Sequence, residues 1–112
     1  MKLLIVDDNP RMRATIRSVV TPAAAEVVEC DNGLDAVALY DARRPDWVLM
    51  DISMPALDGI RATRRIRAIN PDARVVIVTD FVDQAFRQAA ARAGAVAFVT
   101  KDNLLELLRI LE

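Results

Sequence analysis

Five short apolar runs punctuate the chain: Leu3-Leu4-Ile5-Val6, Val27-Val28-Glu29-Cys30, Trp47-Val48-Leu49-Met50, Val75-Val76-Ile77-Val78 and Val96-Ala97-Phe98-Val99. Each has the length of a strand. Most are continuous, the pattern of strands buried on both faces in a parallel sheet covered by helices. The second run alternates more and reads as an edge.

Helical periodicity fills the gaps. Ile16, Val19 and Val20 follow a 3–4 spacing after Pro10, a residue suited to a first helical turn. A second pattern covers Gly33 to Arg43, with Leu34, Val37, Ala38 and Asp41 around it, and stops before Pro45. Ile60, Thr63, Ile66 and Ile69 form a third, ending at Asn70-Pro71. Ala85, Phe86, Ala89 and Ala93 share a face of a fourth, closed by Gly94. The last is expected to start near Asp102 as N-cap and to carry Leu104, Leu107, Leu108 and Leu111.

Five strand–helix alternations predict an α/β fold, a (βα)5 doubly wound parallel sheet of the flavodoxin-like order 2-1-3-4-5. Its crevice lies at the carboxyl ends of the first and third strands. With 112 residues, a single domain over 1–112 is expected.

Composition narrows the function. Fifteen Lys and Arg against 16 Asp and Glu leave a net charge of −1, which offers no general attraction to nucleic acid or to an anionic membrane. Arg61, Arg64, Arg65 and Arg67 make the third helix basic, an ordinary solvated face rather than a nucleic-acid surface. The single cysteine, Cys30, reads as a small buried hydrophobe. The four apolar residues after Met1-Lys2 are too few for a signal or membrane segment, so a cytoplasmic location is expected. Histidine is absent, removing the commonest general base and transition-metal ligand. A phosphohistidine donor would have to come from another molecule.

Asp7 and Asp8 directly follow the first run and Asp51 the third, so the predicted topology gathers three carboxylates at one crevice. One aspartate after a strand is usually a solvated loop residue or a cap; three at adjacent strand ends are a cluster. Two like charges about 4 Å apart repel by roughly 4 kcal/mol at an effective dielectric near 20. A divalent cation removes that conflict, and all-oxygen ligation suits Mg²⁺. Thr79 ends the fourth run and Lys101 follows the fifth, adding a hydroxyl and an ammonium at the same sheet edge. Asp51 carrying a phosphoryl group would need that set for charge neutralisation.

These residues closely resemble the receiver domains of two-component response regulators, over essentially the whole chain. The matching pieces are Leu4-Ile5-Val6-Asp7-Asp8-Asn9, Val48-Leu49-Met50-Asp51-Ile52-Ser53-Met54-Pro55 with Asp58-Gly59, Val76-Ile77-Val78-Thr79, and Gly94 through Lys101. The resemblance implies that Asp51 is phosphorylated by a histidine kinase or phosphotransfer protein. It implies Mg²⁺ held by Asp8, by Asp7 directly or through water, by Asp51 and by the Ser53 backbone carbonyl. It further implies that Thr79 moves to the phosphoryl group while Phe98 turns inward, remodelling the face of the fourth helix, fifth strand and fifth helix. Phe98 reads equally as an ordinary sheet residue.

The pattern departs from the family at several positions. Asp80 stands where the family usually has a small residue, and is expected to weaken phosphoryl acceptance, unless it turns to solvent or pairs with Lys101. Ser53 and Phe81 border the expected path of the hydrolytic water, and Phe81 is expected to shield the acyl phosphate. Asp102 replaces the proline commonly found after the lysine. The short last helix, with Leu105, Ile110 and Leu111 extending its apolar face, leaves three readings open: core, a homodimer surface, or a junction to an effector region. Two other functions compete with the phosphorylation switch. A pseudo-receiver would bind a partner regardless of phosphate, and Asp80 favours it. A Mg²⁺-dependent phosphatase with an aspartyl nucleophile is opposed because Asp7-Asp8-Asn9 lacks the second acid of the haloacid-dehalogenase pattern and no cap domain is present.

Overall fold

The computed structural model describes residues Met1–Glu112. Strands β1 (Lys2–Val6), β2 (Glu26–Cys30), β3 (Trp47–Met50), β4 (Val75–Thr79) and β5 (Ala97–Thr100) alternate with helices α1 (Pro10–Val20), α2 (Gly33–Arg43), α3 (Gly59–Ile69), α4 (Gln84–Ala93) and α5 (Glu106–Ile110). All five strands are parallel, in the order β2-β1-β3-β4-β5. The predicted flavodoxin-like sheet is therefore the one observed, with β2 at an edge.

Successive residues of the central strands face opposite layers, so the sheet carries two cores. Leu4, Val6, Val48, Met50, Val75 and Ile77 pack under α2, α3 and α4. Leu3, Ile5, Leu49, Val76, Val78 and Val99 pack under α1 and α5, which supply Ile16, Val20 and Leu107, with Leu111 at the C-cap of α5. Continuous apolar strands are what burial on both faces requires.

Side-chain caps set the helix entries. Asn9 accepts from the backbone N–H of Arg11 and Met12 ahead of Pro10, Asn32 from that of Asp35, and Asp58 from that of Arg61. Gly94, at φ 102°, closes α4 in the left-handed region as expected.

Local expectations fail at three helices, and in α4 Ala85 is exposed while Ala90 takes the buried position. Around α2 the inward residues are Gly33, Ala36 and Tyr40, whereas Leu34 is exposed. The expected N-cap Asp102 instead accepts from the Thr100 hydroxyl inside a 3-10 turn over Lys101–Asn103, and α5 begins only at Glu106. The hydroxyl two residues upstream captures the carboxylate before it can reach a helical N–H.

Ala56, in the β3–α3 connection, has φ 68°. A Cβ there costs about 1–2 kcal/mol, partly offset in a glycine variant by greater unfolded-chain entropy. Ala56→Gly should therefore stabilise the protein by about 0.5–1 kcal/mol in urea unfolding, and a loss of stability would show that other contacts hold this turn.

Candidate functional site

Strand register assembles the site. Val6 pairs with Met50, so Asp7 and Asp51 leave adjacent strands side by side. Thr79 pairs with Thr100, which puts Lys101 one residue past the facing strand end. The backbone ladder continues into the loops: the Asp51 N–H donates to the Val6 carbonyl at 2.9 Å, and the Asp7 N–H to that of Cys30 at 3.2 Å.

Asp7, Asp8, Asn9, Asp51, Ser53, Thr79, Asp80, Phe81 and Lys101 line one open cleft of about 240 Å³. Asp7, Asp51 and Thr79 are buried, and Asp8, Ser53, Asp80 and Phe81 are exposed at its rim. Every residue singled out from the sequence except Phe98 is in this cleft. Phe98 lies half-buried on β5, with the Arg87 guanidinium 4.5 Å from its ring centroid.

Lys101 is the internal counter-charge. Its Nζ lies 2.9 Å from Asp7 Oδ2 and 3.3 Å from Asp51 Oδ2. Asp80 makes no ion pair, so the alternative in which it engages Lys101 does not occur; it turns to solvent. Burial alone would lower the lysine's pKa, but the bond to Asp7 and the charges of Asp51 and Asp7 outweigh it and hold the ammonium above its usual value. For Asp51, burial dominates and the Asp7 charge adds to it. Lys101 and the Ile52 N–H oppose them, and the carboxyl is pushed up to about 6.

One ammonium does not satisfy the cluster. Asp7 Oδ1 accepts from the Asn9 N–H at 2.8 Å, whereas the buried Oδ2 meets only the Lys101 ammonium, 2.9 Å away. Carboxylate oxygens of Asp7, Asp8 and Asp51 lie within 4.8 Å of one another. An all-oxygen set of three carboxylates sharing a single ammonium fits a hard divalent cation such as Mg²⁺. No backbone N–H donates to the Ser53 carbonyl, which leaves it free as a further oxygen ligand.

Two supporting contacts escaped the sequence reading, although Gly59 itself stood in the Asp58-Gly59 piece of the family match. Arg13 donates from Nη1 to the Asp7 carbonyl at 2.7 Å and from Nε to Glu29 at 3.2 Å, tying the acidic loop to α1 and β2. Nothing in the spacing of one arginine on a helix announces that contact. Gly59 sits where a Cβ would lie 1.8 Å from the Asp51 carbonyl oxygen. The Asp58-Gly59 pair at a helix start was the available signal for it.

A family model for the response regulator receiver domain matches residues 3–112. The chain belongs to that family. This receiver domain is 42% identical over 113 residues to the chemotaxis protein CheY of Listeria monocytogenes, covering 96% of the chain and 95% of that protein. It is 33% identical to the Bordetella pertussis regulator BvgA, of which it spans 52%. A LuxR-family response regulator from Aurantimonas superposes with a TM-score of 0.90 at 35% identity, over 98% of this chain and 84% of that one. The receiver domain of the Pseudomonas aeruginosa sensor kinase PA1611 superposes at 0.87 with 32% identity, over 98% and 93%, and has a magnesium ion in its active-site cleft. Receiver domains are signalling modules of two-component systems rather than classical enzymes, and work with histidine kinases or phosphotransfer proteins. No helix of this one is long and apolar enough to cross a membrane.

Proposed function

We propose that this receiver domain is a phosphorylation-dependent switch in which Asp51 accepts a phosphoryl group from a phosphohistidine of a cytoplasmic kinase or phosphotransfer protein. The observation that carries this reading is the buried Asp51 carboxylate, 3.3 Å from Lys101 and within 4.8 Å of the oxygens of Asp7 and Asp8. With its pKa near 6, Asp51 is mostly ionised at neutral pH and can act as nucleophile. One of its oxygens bonds to phosphorus as the phosphorus–nitrogen bond of the donor breaks, and the imidazole leaves with the bond's electron pair and takes up a proton.

Asp7, Asp8, Asp51 and the Ser53 carbonyl would hold Mg²⁺, which when bound would supply positive charge for phosphoryl transfer. Lys101 contributes a second positive charge already in place. The Thr79 hydroxyl, which accepts from the Phe81 N–H at 3.2 Å, keeps its own proton to donate to a phosphoryl oxygen. Movement of Thr79 and inward packing of Phe98 then favour a second arrangement of the α4, β5 and α5 face. That face, or a homodimer formed through it, is the output.

The test is intact-protein mass after incubation with a small acyl or amido phosphate donor. A labile, Mg²⁺-dependent adduct is expected in the wild type and none in Asp51→Asn. Absence of an adduct in the folded wild type would favour the pseudo-receiver, which binds its partner independently of phosphate. In the same assay Asp80→Ala should accept phosphate faster, because a rim charge that repels the donor is gone, and Phe81→Ala should shorten the adduct's lifetime. Unchanged rates would remove the modulating roles of both residues.

A further inference from the structure

A second cavity, of about 420 Å³, opens between α3 and α4 and is lined by Ile52, Ser53, Asp58, Ile60, Arg61, Arg64, Phe81 and Phe86. Its volume and mixed lining are those of sites that take an apolar group oriented by a few charges. Phe81 and Phe86 pack with ring centroids 5.1 Å apart, and Phe81 remains 42% exposed. Phe86 is half-buried against the core, so the aromatic wall is open to solvent chiefly at Phe81.

The opposite wall is basic. Asp58 caps α3 and lies 3.5 Å from Arg61, so these two charges offset each other and Arg64 carries the uncompensated positive charge of the lining. Arg64 and the neighbouring Arg65 are exposed and have no carboxylate partner. In a chain of net charge −1 this surplus is local. The acidic residues near the groove, Asp80 and Asp83, lie on the β4–α4 loop at its other side. An occupant is thus polarised: apolar group on the phenylalanines, carboxylates on α3, none toward the loop.

We propose that this groove docks an acidic amphipathic segment of a partner protein, with an aliphatic or aromatic side chain against Phe81 and Phe86 and a carboxylate on Arg64, beside the Arg61–Asp58 pair. Guanidinium groups favour carboxylates through paired, planar hydrogen bonds, and apolar anchors at helical spacing suit a groove between two helices. Nucleic acid fits less well, because the pocket between the charges is apolar and the opposite rim is acidic. Ser53 and Phe81 line both this groove and the aspartate cleft, so a docked segment lies against the wall of the site. Docking itself requires no phosphorylation.

The probe is a blocked peptide of glutamates with leucines at i, i+3, i+4 and i+7, titrated into the isotopically labelled full chain and followed by amide NMR. A glutamine-for-glutamate peptide and a short single-stranded DNA serve as comparisons. Shifts centred on Ile60, Phe81 and Phe86 are expected, with affinity falling about fivefold per charge pair lost, in Arg64→Glu or with the glutamine peptide. Binding should also weaken as salt rises. Asp51→Asn should bind the peptide as the wild type does, which separates this site from the phosphorylation reading. Shifts elsewhere, no binding, equal binding of the glutamine peptide, or preference for the DNA would each overturn the proposal. Arg64 is exposed, so its variant retains the fold and a loss of binding reports on the groove.

Discussion

Replacing Lys101 with methionine should destabilise the protein by about 2–4 kcal/mol at pH 8, because removing one partner of a buried ion pair leaves the other charge uncompensated. Here the cost involves two carboxylates, since the ammonium touches both Asp7 and Asp51 while only 10% exposed. The pH dependence has a definite sign. In the wild type the Asp51 pKa is raised from 3.8 to about 6, so the folded state binds the extra proton between those values. Its contribution favours folding in acid and is lost as pH rises through that window. Without Lys101 the opposing positive charge is gone and the Asp51 pKa moves higher, extending the loss toward neutral pH. Urea unfolding across pH 4–8 should show the variant approaching wild-type stability in acid and diverging from it in base. A pH-independent difference would mean that Lys101 contributes packing rather than charge. Mg²⁺ should restore more stability to the variant than to the wild type, since it binds only the folded cluster.

Gly59→Ala should cost a similar amount, about 2–4 kcal/mol, for a steric reason. The added Cβ would lie 1.8 Å from the Asp51 carbonyl oxygen and 2.9 Å from Met50 Cγ, and the nearest obstacle is backbone that cannot swing away. Relief requires either α3 or the Asp51 loop to move. The Gly59 N–H also donates to the Ile52 carbonyl at 2.8 Å, so movement of α3 breaks that bond as well. A lowered thermal midpoint together with slower phosphate acceptance is expected. Full acceptance in a destabilised protein would show that α3 yields and the aspartate does not. Unchanged stability would mean that the close approach relaxes at no cost.

How much of this was legible beforehand follows physical lines. Continuous apolar runs bounded by helical periodicity specify doubly covered parallel strands, and right-handed crossovers leave few orders for five of them. That logic was enough to put Asp7, Asp8, Asp51, Thr79 and Lys101 at one sheet edge. Boundaries set by competing local hydrogen bonds were less visible. Asp102 has the chemistry of an N-cap, but the Thr100 hydroxyl holds it in a 3-10 turn. Ala36 and Tyr40 turn inward instead of Leu34 because the direction of α2 against α3 decides which arc of the helix is covered.

By itself, then, the sequence determined the layered fold and the placing of Asp7, Asp8, Asp51, Thr79 and Lys101 at one cleft, because hydrophobic periodicity and strand-end chemistry are local properties, whereas Ser53, Asp80 and Phe81 entered only through the family resemblance. Tertiary structure alone decided that Lys101 bridges two carboxylates, that Arg13 secures the acidic loop, and that Phe81 is shared between cleft and groove. Those facts depend on angles and on close approaches between segments distant in the chain, which no spacing along it records.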